Sequence, residues 1–473
     1  MANRERRNDV LLINPGPRRW VLGENAPLGL AYLAAVLEEH GFRVQIFDAW
    51  LRDFRASNIR AVIQDRDPAI VGITCDYARV DEVKRIIDET KKVDKTIKTV
   101  VGGVLATLVP DVFSDSPVDY VVVGEGEYTF LELVTRIMQN RTCEDVRGLV
   151  IRRNGRSVRT QPRPLISNLD ELPFPARHLL PLREYKPMTA LRFPSTNMVA
   201  SRGCVYQCYF CSASRMWGGK WRCHSPDYVV KEMQHLVEKY GIKDVSFTDA
   251  AFTMNMNRAE EICDLISKRS FDITWSCDCR PDAVNRSLLA KMASAGCSLI
   301  QYGIESGSPE VLTRIKKGFT VEHARKAIKM TREEGIRPFA YFIIGHPWDT
   351  PDTIHETIEF AKELNADFTE FFMAYPFPGT EFWEIARDHD LFVKEPSPED
   401  LYLSPKPAVM KTFHVSAEDL ERYRREAYLE FYFRPKYIAN RLLGCRSPRE
   451  VYNLCRSGAE LLSWTYRRRT AGS

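Results

Sequence analysis

The N-terminal part of the chain alternates short apolar runs with stretches of helical periodicity. Residues 9–14 are an apolar run followed by Pro15 and Gly16, which predicts a buried parallel strand that ends in a loop. Residues 27–40 carry apolar side chains at helical spacing and stop at Gly41, which predicts a helix with a glycine after its C-terminus. The same alternation predicts further strands, with helices between them, at residues 44–47, 69–74, 99–102 and 120–123. Residues 8–140 are therefore predicted to form a doubly wound parallel α/β sheet, which binds ligands at the carboxyl ends of its strands.

A second series of strand and helix units occupies residues 191–390. Five strand-like runs are each followed by a helical segment, and a sixth strand opens the last unit. The predicted strands are residues 196–200, 244–247, 273–276, 298–304, 338–344 and 368–374. Six units are fewer than the eight of a closed (β/α)8 barrel, and in such barrels the chemistry sits at the carboxyl ends of the strands.

Two regions lie outside these series. Residues 141–190 contain a predicted short hairpin at 150–160 and then a proline-rich stretch, 165–181, whose proline density excludes regular helix and strand and predicts a connector packed over the domain boundary. Residues 391–473 are predicted to be a helical C-terminal cap, which either packs on the barrel or closes over a substrate. Its helices are predicted at residues 417–432, 435–443 and 448–466.

Composition narrows the class of protein. A chain of 473 residues with 44% apolar content is expected to fold into two or three globular domains. The formal net charge of +4 predicts neither a nucleic-acid-binding nor a membrane protein, and the arginine clusters at 4–7 and 467–469 are interpreted as solubilising ends. No apolar run reaches the length of a membrane span, and no signal peptide is visible. Twelve cysteines without a secretory signal therefore predict a reducing, cytoplasmic location.

The strongest chemical signal is three cysteines close in sequence. Cys204, Cys208 and Cys211 stand at C-x3-C-x2-C spacing directly after a predicted strand. A short loop with this spacing can direct three thiolates at one iron–sulfur cubane, and three ligands leave the fourth iron open to a substrate or cofactor. Two alternatives stay open from the residues alone: a zinc site with Cys223, twelve residues on, as the fourth ligand, or three buried core thiols.

The cysteine stretch resembles the signature of the radical S-adenosylmethionine (SAM) enzymes. Phe210 is the aromatic residue usual before the last cysteine of that family, and residues 303–307 match its G-x-E-S segment. The resemblance implies a partial (β/α)6 TIM-like barrel, a [4Fe–4S] cluster held by Cys204, Cys208 and Cys211, and SAM on the open iron. It also implies SAM contacts from Phe210, Glu305 and Ser306.

Two further strand ends offer candidate SAM ligands, each with a structural alternative. Asp249 can hydrogen-bond the ammonium of SAM or cap a turn. Arg280 can pair with the SAM carboxylate or form a surface ion pair with Asp278 or Asp282. His346 follows the fifth strand in a Gly-His-Pro loop that resembles the family's adenine loop, although a lone histidine is more often structural.

Three loops at strand ends of the N-terminal domain resemble those of the cobalamin-binding domain of one class of radical SAM enzymes. The loops are residues 14–16, 102–107 and 124–127. The resemblance implies cobalamin contacts from Gly102, Gly103, Thr107, Gly124 and Glu125. Two departures stand beside it: no Asp-x-His-x-x-Gly motif offers a histidine to cobalt, and Leu105 replaces a histidine that many relatives have in the second loop.

The resemblance predicts a cobalamin-dependent radical SAM enzyme, with C-methylation of a small-molecule, lipid or natural-product substrate as the first hypothesis. Ring formation or oxidation, as in the anaerobic magnesium-protoporphyrin ester cyclases, is the alternative. A non-catalytic corrinoid- or metal-binding protein is the third hypothesis. The implied partners are a small-molecule substrate and an electron donor such as flavodoxin or ferredoxin. The substrate itself is not encoded in these motifs.

Overall fold

The computed structural model describes residues 7–16, 25–51, 58–153, 156–187, 189–397, 400, 407–443, 452, 455–456 and 458–463. Most of both terminal arginine clusters lies outside the described residues. Of the predicted helix 448–466, the residues that the structure describes are helical. No helix within the described ranges has the length and apolar character needed to cross a lipid bilayer.

The N-terminal domain is a seven-stranded sheet with helices on both faces. Its strands run in the order β2-β1-β3-β4-β5-β6-β7; the first five are parallel, and β6 and β7 add an antiparallel hairpin to β5. The strands are β1 (Asn8–Asn14), β2 (Val44–Asp48), β3 (Pro68–Thr74), β4 (Lys98–Gly102), β5 (Tyr120–Val122), β6 (Leu149–Arg153) and β7 (Arg156–Arg159). The helices are α1 (Leu28–Glu39), α2 (Ile59–Arg66), α3 (Val80–Val93), α4 (Val104–Leu108) and α5 (Gly126–Met138).

The predicted doubly wound sheet is confirmed, because the strand order reverses between β1 and β3 and apolar side chains fill both faces. Leu11 and Val71 pack into the cluster that contains Val83 and Ile87 of α3, whereas Val10 and Leu12 point to the opposite face. A ligand site is expected at the reversal point, beyond the carboxyl ends of these strands.

The connector packs on α1 rather than forming elements of its own beyond two short 3-10 turns, Leu169–Glu171 and Arg177–Leu179. Ile166, Leu172 and Tyr185 are buried in one cluster with side chains of α1. The predicted hairpin precedes this stretch and belongs to the N-terminal sheet, which therefore continues past residue 140 to Arg159.

The second sheet has six parallel strands in sequential order. The strands are β8 (Ser195–Met198), β11 (Asp244–Phe247), β12 (Thr274–Cys279), β13 (Cys297–Glu305), β14 (Arg337–Ile344) and β15 (Phe368–Met373), and a small antiparallel ribbon consists of β9 (Ser201–Arg202) and β10 (Arg222–Cys223). The helices are α6 (Ser212–Met216), α7 (Pro226–Tyr240), α8 (Met256–Arg269), α9 (Arg286–Ser294), α10 (Pro309–Arg314), α11 (Val321–Glu333), α12 (Pro351–Leu364) and α13 (Glu381–Asp388). The sheet ends at β8 on one side and at β15 on the other, so the six units form the predicted partial barrel.

The described part of the C-terminal region covers the β15 edge of that barrel. Helices α14 (Ala417–Tyr432) and α15 (Pro435–Leu443) confirm two of the predicted helices. The Tyr432 hydroxyl accepts from the Thr369 amide at 3.0 Å and donates to the Thr369 carbonyl at 2.6 Å, so it satisfies backbone groups of the edge strand. These contacts favour packing over a lid as the role of α14.

Candidate active site

One cavity of about 500 Å³ lies between the carboxyl ends of the two sheets. We call it the interdomain cavity. The N-terminal domain contributes mainly glycine and apolar side chains, and the barrel contributes the start and the end of the loop that carries the three cysteines. Lining residues include Gly72, Gly102, Gly103 and Gly124 from the first domain, and Gly203, Ser212, Ala213 and Met216 from the second.

The glycine loops shape the N-terminal wall of this cavity. Gly103 has a φ of +104°, and a Cβ there would lie 2.6 Å from the Cys75 carbonyl oxygen, so only glycine fits. Gly124 also has a positive φ and lines the cavity. Thr107 acts behind the wall, since its hydroxyl accepts from the Gly124 amide at 3.1 Å and joins the two loops.

Leu105, which replaces a histidine that many relatives have, does not line the cavity. Leu105 is buried in the core on the other side of the loop, where it packs with Val101 and Phe113, whereas Val104 lines the cavity. Among the described residues, those that line the cavity from the N-terminal domain include no histidine, cysteine or methionine. This glycine-lined and largely apolar wall fits a flat macrocycle such as a corrin, and none of the described side chains that line it from this domain offers the metal an imidazole or a sulfur ligand.

The three cysteines lie close to one another in the loop whose two ends line this cavity, with Gly203 before them and Ser212 after them. Cys204, Cys208 and Cys211 lie between β9 and α6 with free thiols. Burial raises the pKa of each thiol, and the charges of its cysteine neighbours raise it further. The Lys317 ammonium acts in the opposite direction on all three. Three thiols that share one positive neighbour can hold one multi-iron cluster.

The zinc alternative finds no support in the described residues. The charges that act on Cys223 belong to Arg258, Asp170 and Asp249, not to the three cysteines. Across the described ranges, no group of three histidine, cysteine or acidic side chains surrounds a position for a single metal ion. A cubane has no need of such a group, because it distributes its thiolate ligands over different irons.

Glu305 forms a buried ion pair beside the cysteines. Its Oε1 accepts from Lys317 Nζ at 2.7 Å, and both side chains are 9% exposed. Burial works to lower the pKa of Lys317, but Glu305 and then Cys208 outweigh it, so that the pKa is raised and the ammonium stays charged. Gly303 provides the space, because a Cβ there would lie 2.6 Å from Glu305 Oε1. Glu305 also has a φ of +73°, a conformation rare outside glycine that is often kept at functional sites.

Arg280 is occupied by contacts within the protein. It pairs in bidentate fashion with Asp282 at 2.9 and 3.0 Å and donates to the Lys317 carbonyl at 2.7 Å. Its guanidinium carbon lies 3.3 Å from the centre of the Tyr206 ring, within the cysteine loop. The predicted ion pair is therefore present, although buried rather than on the surface, and Arg280 holds the cysteine loop against the loop of Lys317.

Asp249 also supports the cysteine loop. Its two oxygens accept from the Ala200 amide at 2.8 Å and from the Ser201 hydroxyl at 2.5 Å, and burial raises its pKa to about 6. The structure thus places it at the entry to the loop, and not over the turn that follows it. Ser306 is similarly engaged, because its hydroxyl hydrogen-bonds Thr357 of α12 at 3.1 Å.

Phe210 and His346 lie in one aromatic cluster behind the cysteines. Their ring centres are 5.9 Å apart. His346 Nδ1 hydrogen-bonds the Tyr209 hydroxyl at 2.8 Å, and burial lowers its pKa to about 3, so the imidazole is neutral. This arrangement supports a structural role for His346.

Glu125 contacts the cysteine loop across the domain boundary. Its carboxylate accepts from Arg202 at 3.0 Å and from Arg222 at 2.9 Å, and Glu127 accepts from Arg202 at 2.7 Å. We call these four residues the interdomain clamp. Sequence reasoning missed Lys317 and three members of the clamp. The sequence around Lys317 offers only a Lys-Lys-Gly stretch as a signal. Glu127 is signalled only as the second glutamate of Gly-Glu-Gly-Glu.

Comparison with known proteins identifies two domain families. Residues 198–361 match the model of the radical SAM superfamily, and residues 20–134 match that of the B12 binding domain. Both matches fall on the regions to which the sequence motifs pointed.

The chain is similar over most of its length to two curated proteins. It is 37% identical over 436 residues to the uncharacterized methyltransferase PH0819 of Pyrococcus horikoshii, which covers 91% of this chain and 93% of that protein. It is 29% identical over 480 residues to the anaerobic magnesium-protoporphyrin IX monomethyl ester cyclase of Rubrivivax gelatinosus, covering 95% of this chain and 85% of that one.

Its fold is that of a solved structure, the cobalamin-dependent SAM radical enzyme OxsB with aqua-cobalamin and SAM bound. The TM-score is 0.76 at 18% identity, over 97% of this chain and 72% of that one.

Proposed function

Because the chain belongs to the radical SAM superfamily, in the group that carries a B12-binding domain, we propose that it is a cobalamin-dependent methyltransferase that methylates an unactivated carbon of a small molecule. The relative with 37% identity is named as a methyltransferase, which supports methyl transfer as the outcome. A small-molecule, lipid or natural-product substrate remains part of the proposal.

The observation that carries the proposal is the shared cavity. Gly102, Gly103 and Gly124 border it from one domain, and Gly203 and Ser212, which flank the cysteine triad in sequence, border it from the other. A corrinoid on the sheet side and SAM on the cysteine side would therefore lie in one space. Two cofactors that must act on one substrate need such a common space.

The residues present fit each group. Cys204, Cys208 and Cys211 would hold the [4Fe–4S] cluster, and the Glu305–Lys317 pair offers opposite charges for the ammonium and carboxylate of SAM. When bound, the cluster supplies the electron that cleaves a carbon–sulfur bond of SAM, and the corrinoid supplies methyl transfer. The apolar wall and the packed connector would exclude water from a reactive radical.

In this proposal, Arg280 and Asp249 take up the structural alternative and not the predicted SAM contact. Each is bound to backbone or side chains next to the cysteine loop. We assign both to positioning the loop, and we assign direct SAM contact to Glu305 and Lys317. A flavodoxin- or ferredoxin-type donor in a reducing cytoplasm would deliver the electron.

Oxidative ring formation is the second candidate, since the 29% identical relative that aligns with 95% of the chain is a cyclase. The two candidates differ in the fate of the substrate. Methylation adds one methyl group to its mass, whereas cyclisation removes hydrogens and adds no carbon. Both require the same triad and the same SAM cleavage.

The test is anaerobic reconstitution with iron and sulfide, followed by reduction in the presence of SAM and hydroxocobalamin. We expect 5′-deoxyadenosine or S-adenosylhomocysteine to form, and a corrinoid to be retained by the protein. A cluster-loaded sample that consumes no SAM would leave the non-catalytic binding protein as the explanation. Retention of no corrinoid alongside active SAM cleavage would favour the cyclase.

A further inference from the structure

The interdomain clamp joins the wall of one cofactor site to the loop of the other. Its ion pairs are buried: the side chains of Glu125 and Glu127 are 4% and 7% exposed, and those of Arg202 and Arg222 are 10% and 11% exposed. Exposed ion pairs contribute little, but a buried charge that loses its partner is costly. The clamp therefore resists displacement of either domain at this point.

On the barrel side, the clamp holds the base of the cysteine loop. Arg202 of β9 lies directly opposite Arg222 of β10 in antiparallel register. The chain leaves the ribbon at Arg202, passes through all three cysteines and returns at Arg222, so the Glu125 carboxylate binds both ends of the loop. A side chain at Gly203 would collide with the Lys220 carbonyl oxygen, which shows how tightly this base is closed. Movement of Glu125 would shift the loop as one piece.

On the sheet side, the clamp is continuous with the cavity wall. Glu125 follows Gly124, which lines the cavity, and Thr107 ties Gly124 to the Gly102-Gly103 loop. The connector meets the same carboxylate, because the Ile166 amide donates to Glu125 Oε2 at 2.7 Å. A ligand pressed against Gly103 and Gly124 would therefore fix the position of Glu125.

We propose that the interdomain clamp couples the two cofactor sites, so that a corrinoid in the cavity and a cluster in the cysteine loop each strengthen binding of the other. This inference rests on the proposed function, because it requires both groups to bind. The four clamp residues act as positioning residues through the two loops. Glu125, Glu127 and Arg202 also line the cavity, so loss of a direct corrinoid contact would weaken binding to both forms of the protein alike, whereas loss of coupling changes the ratio of the two affinities. Coupling of this kind is reciprocal and typically amounts to about 5- to 150-fold in affinity.

The test compares hydroxocobalamin affinity in cluster-loaded and cluster-free protein, followed by the visible absorption of the corrinoid. The wild-type protein is expected to bind at least about fivefold more tightly when loaded with the cluster. Glu127→Gln removes one ion pair of the clamp without loss of volume, and the two affinities should then converge. Glu132→Gln is the matched control, because Glu132 lies on the same helix α5 and pairs with Arg136 and Arg163 away from the cavity. It should keep the wild-type ratio.

A second readout does not depend on the stability of the cluster-free protein. The reductant converts hydroxocobalamin to paramagnetic Co(II), which adds its own signal in every sample. The electron paramagnetic resonance signal of the reduced cluster with SAM, separated from the Co(II) signal, should shift on addition of hydroxocobalamin in wild-type protein and in Glu132→Gln, but not in Glu127→Gln. Equal affinities in the two forms of the wild-type protein, or a Glu127→Gln variant that keeps both the ratio and the spectral change, would overturn the coupling. Failure of the wild-type protein to bind hydroxocobalamin in either form is a different result, and it would reject the proposed function along with the coupling.

Discussion

The two walls of the interdomain cavity differ in what they present to a ligand. Apart from Glu125 and Glu127 of the clamp, the sheet wall is built mainly from glycines and apolar side chains, with Gly103 in a backbone conformation that side chains rarely adopt. The cysteine wall is backed by buried charges that are paired inside the protein, Glu305 with Lys317 and Arg280 with Asp282. The sheet wall makes room for a ligand because its glycines have no side chains. The cysteine wall presents charged groups that are held in place by their partners.

This difference predicts which changes each wall tolerates. A wall lined by glycines loses its shape when a side-chain atom is added, because the backbone, and not a side chain, would have to move aside. A wall made of paired charges fails when one partner is removed, because the remaining charge is buried alone. An added side-chain atom should therefore damage the sheet wall, and the loss of one charged partner should damage the cysteine wall.

The largest effect is expected from Cys208→Ala, which removes one cluster ligand. Two thiolates cannot hold a stable cubane, so the visible absorption of the reconstituted cluster should be lost, and the rate of 5′-deoxyadenosine formation should fall about a thousandfold or more. Cys455→Ser, at an exposed cysteine, is the matched control and should keep both. A Cys208→Ala protein with a full cluster would show that the triad is not the ligand set.

On the sheet wall, Gly103→Ala is expected to weaken hydroxocobalamin binding about a hundredfold, while SAM cleavage persists. The added Cβ would meet the Cys75 carbonyl oxygen, and the φ of +104° adds strain, so the loop must shift into the cavity. Gly335→Ala provides the control, because its φ of +79° carries similar strain but a Cβ would meet nothing within 4 Å. Binding is measured by equilibrium dialysis. Equal loss in both variants would trace the effect to backbone strain and not to the cavity.

On the cysteine wall, Lys317→Met should weaken SAM binding about tenfold, because it removes a charge-assisted contact and leaves Glu305 buried without its partner. Its neighbour supplies the control, since Lys316 forms an exposed ion pair with Glu381 and Lys316→Met should bind SAM as the wild-type protein does. Binding of SAM to cluster-loaded protein is measured by dialysis. If Lys317→Met keeps the wild-type affinity for hydroxocobalamin, the change impairs the cysteine wall without impairing the sheet wall.

Much of this architecture followed from local sequence pattern, whereas most of the charge pairing did not. The strands of both sheets were predicted to within a few residues, because apolar periodicity is a property of neighbouring positions. The three cysteines were equally predictable, because their spacing lies within one short stretch of sequence. The partners of Asp249 are Ala200 and Ser201, which precede it by 49 and 48 residues, and no pattern in the sequence links them. Arg280, in contrast, pairs with Asp282 two residues away, which was one of the alternatives considered.

The position of Leu105 shows a further reason why local pattern falls short. A motif specifies which residue types follow one another, but the face that each side chain occupies depends on the turn of the loop in three dimensions. Leu105 turns into the core and Val104 turns to the cavity. The replacement of a family histidine at residue 105 therefore carries less weight against a corrinoid than the sequence alone implied.

The smallest expected effect concerns pH and the buried acid at the entry of the cysteine loop. Burial raises the pKa of Asp249 to about 6 in the folded protein, above the value of roughly 3.9 of an unfolded aspartate. The folded state thus binds the proton more tightly, so the contribution of Asp249 to stability is fully present below about pH 4 and is lost as the pH rises through 6. Between pH 5 and pH 7 this loss amounts to about 1 kcal/mol. Asp249→Asn should remove that part of the pH dependence of the urea unfolding midpoint.

The control for this change is Asp272→Asn. Hydrogen bonds from Arg192 and Lys243 lower the pKa of Asp272, so this residue is ionised throughout the range and its removal should leave the slope between pH 5 and pH 7 unchanged. Asp349, whose pKa burial also raises to about 6, remains in both variants and contributes the same slope to each. Burial and then the charge of Asp249 raise the pKa of Asp278 to about 7, so the change in slope in Asp249→Asn includes the part of the Asp278 titration that depends on Asp249. If Asp249→Asn keeps the full wild-type slope, Asp249 does not titrate between pH 5 and pH 7, and the expected loss of stability is contradicted. The hydrogen bonds of Asp249 to Ala200 and Ser201 would then keep one charge state at the entry of the cysteine loop throughout this range.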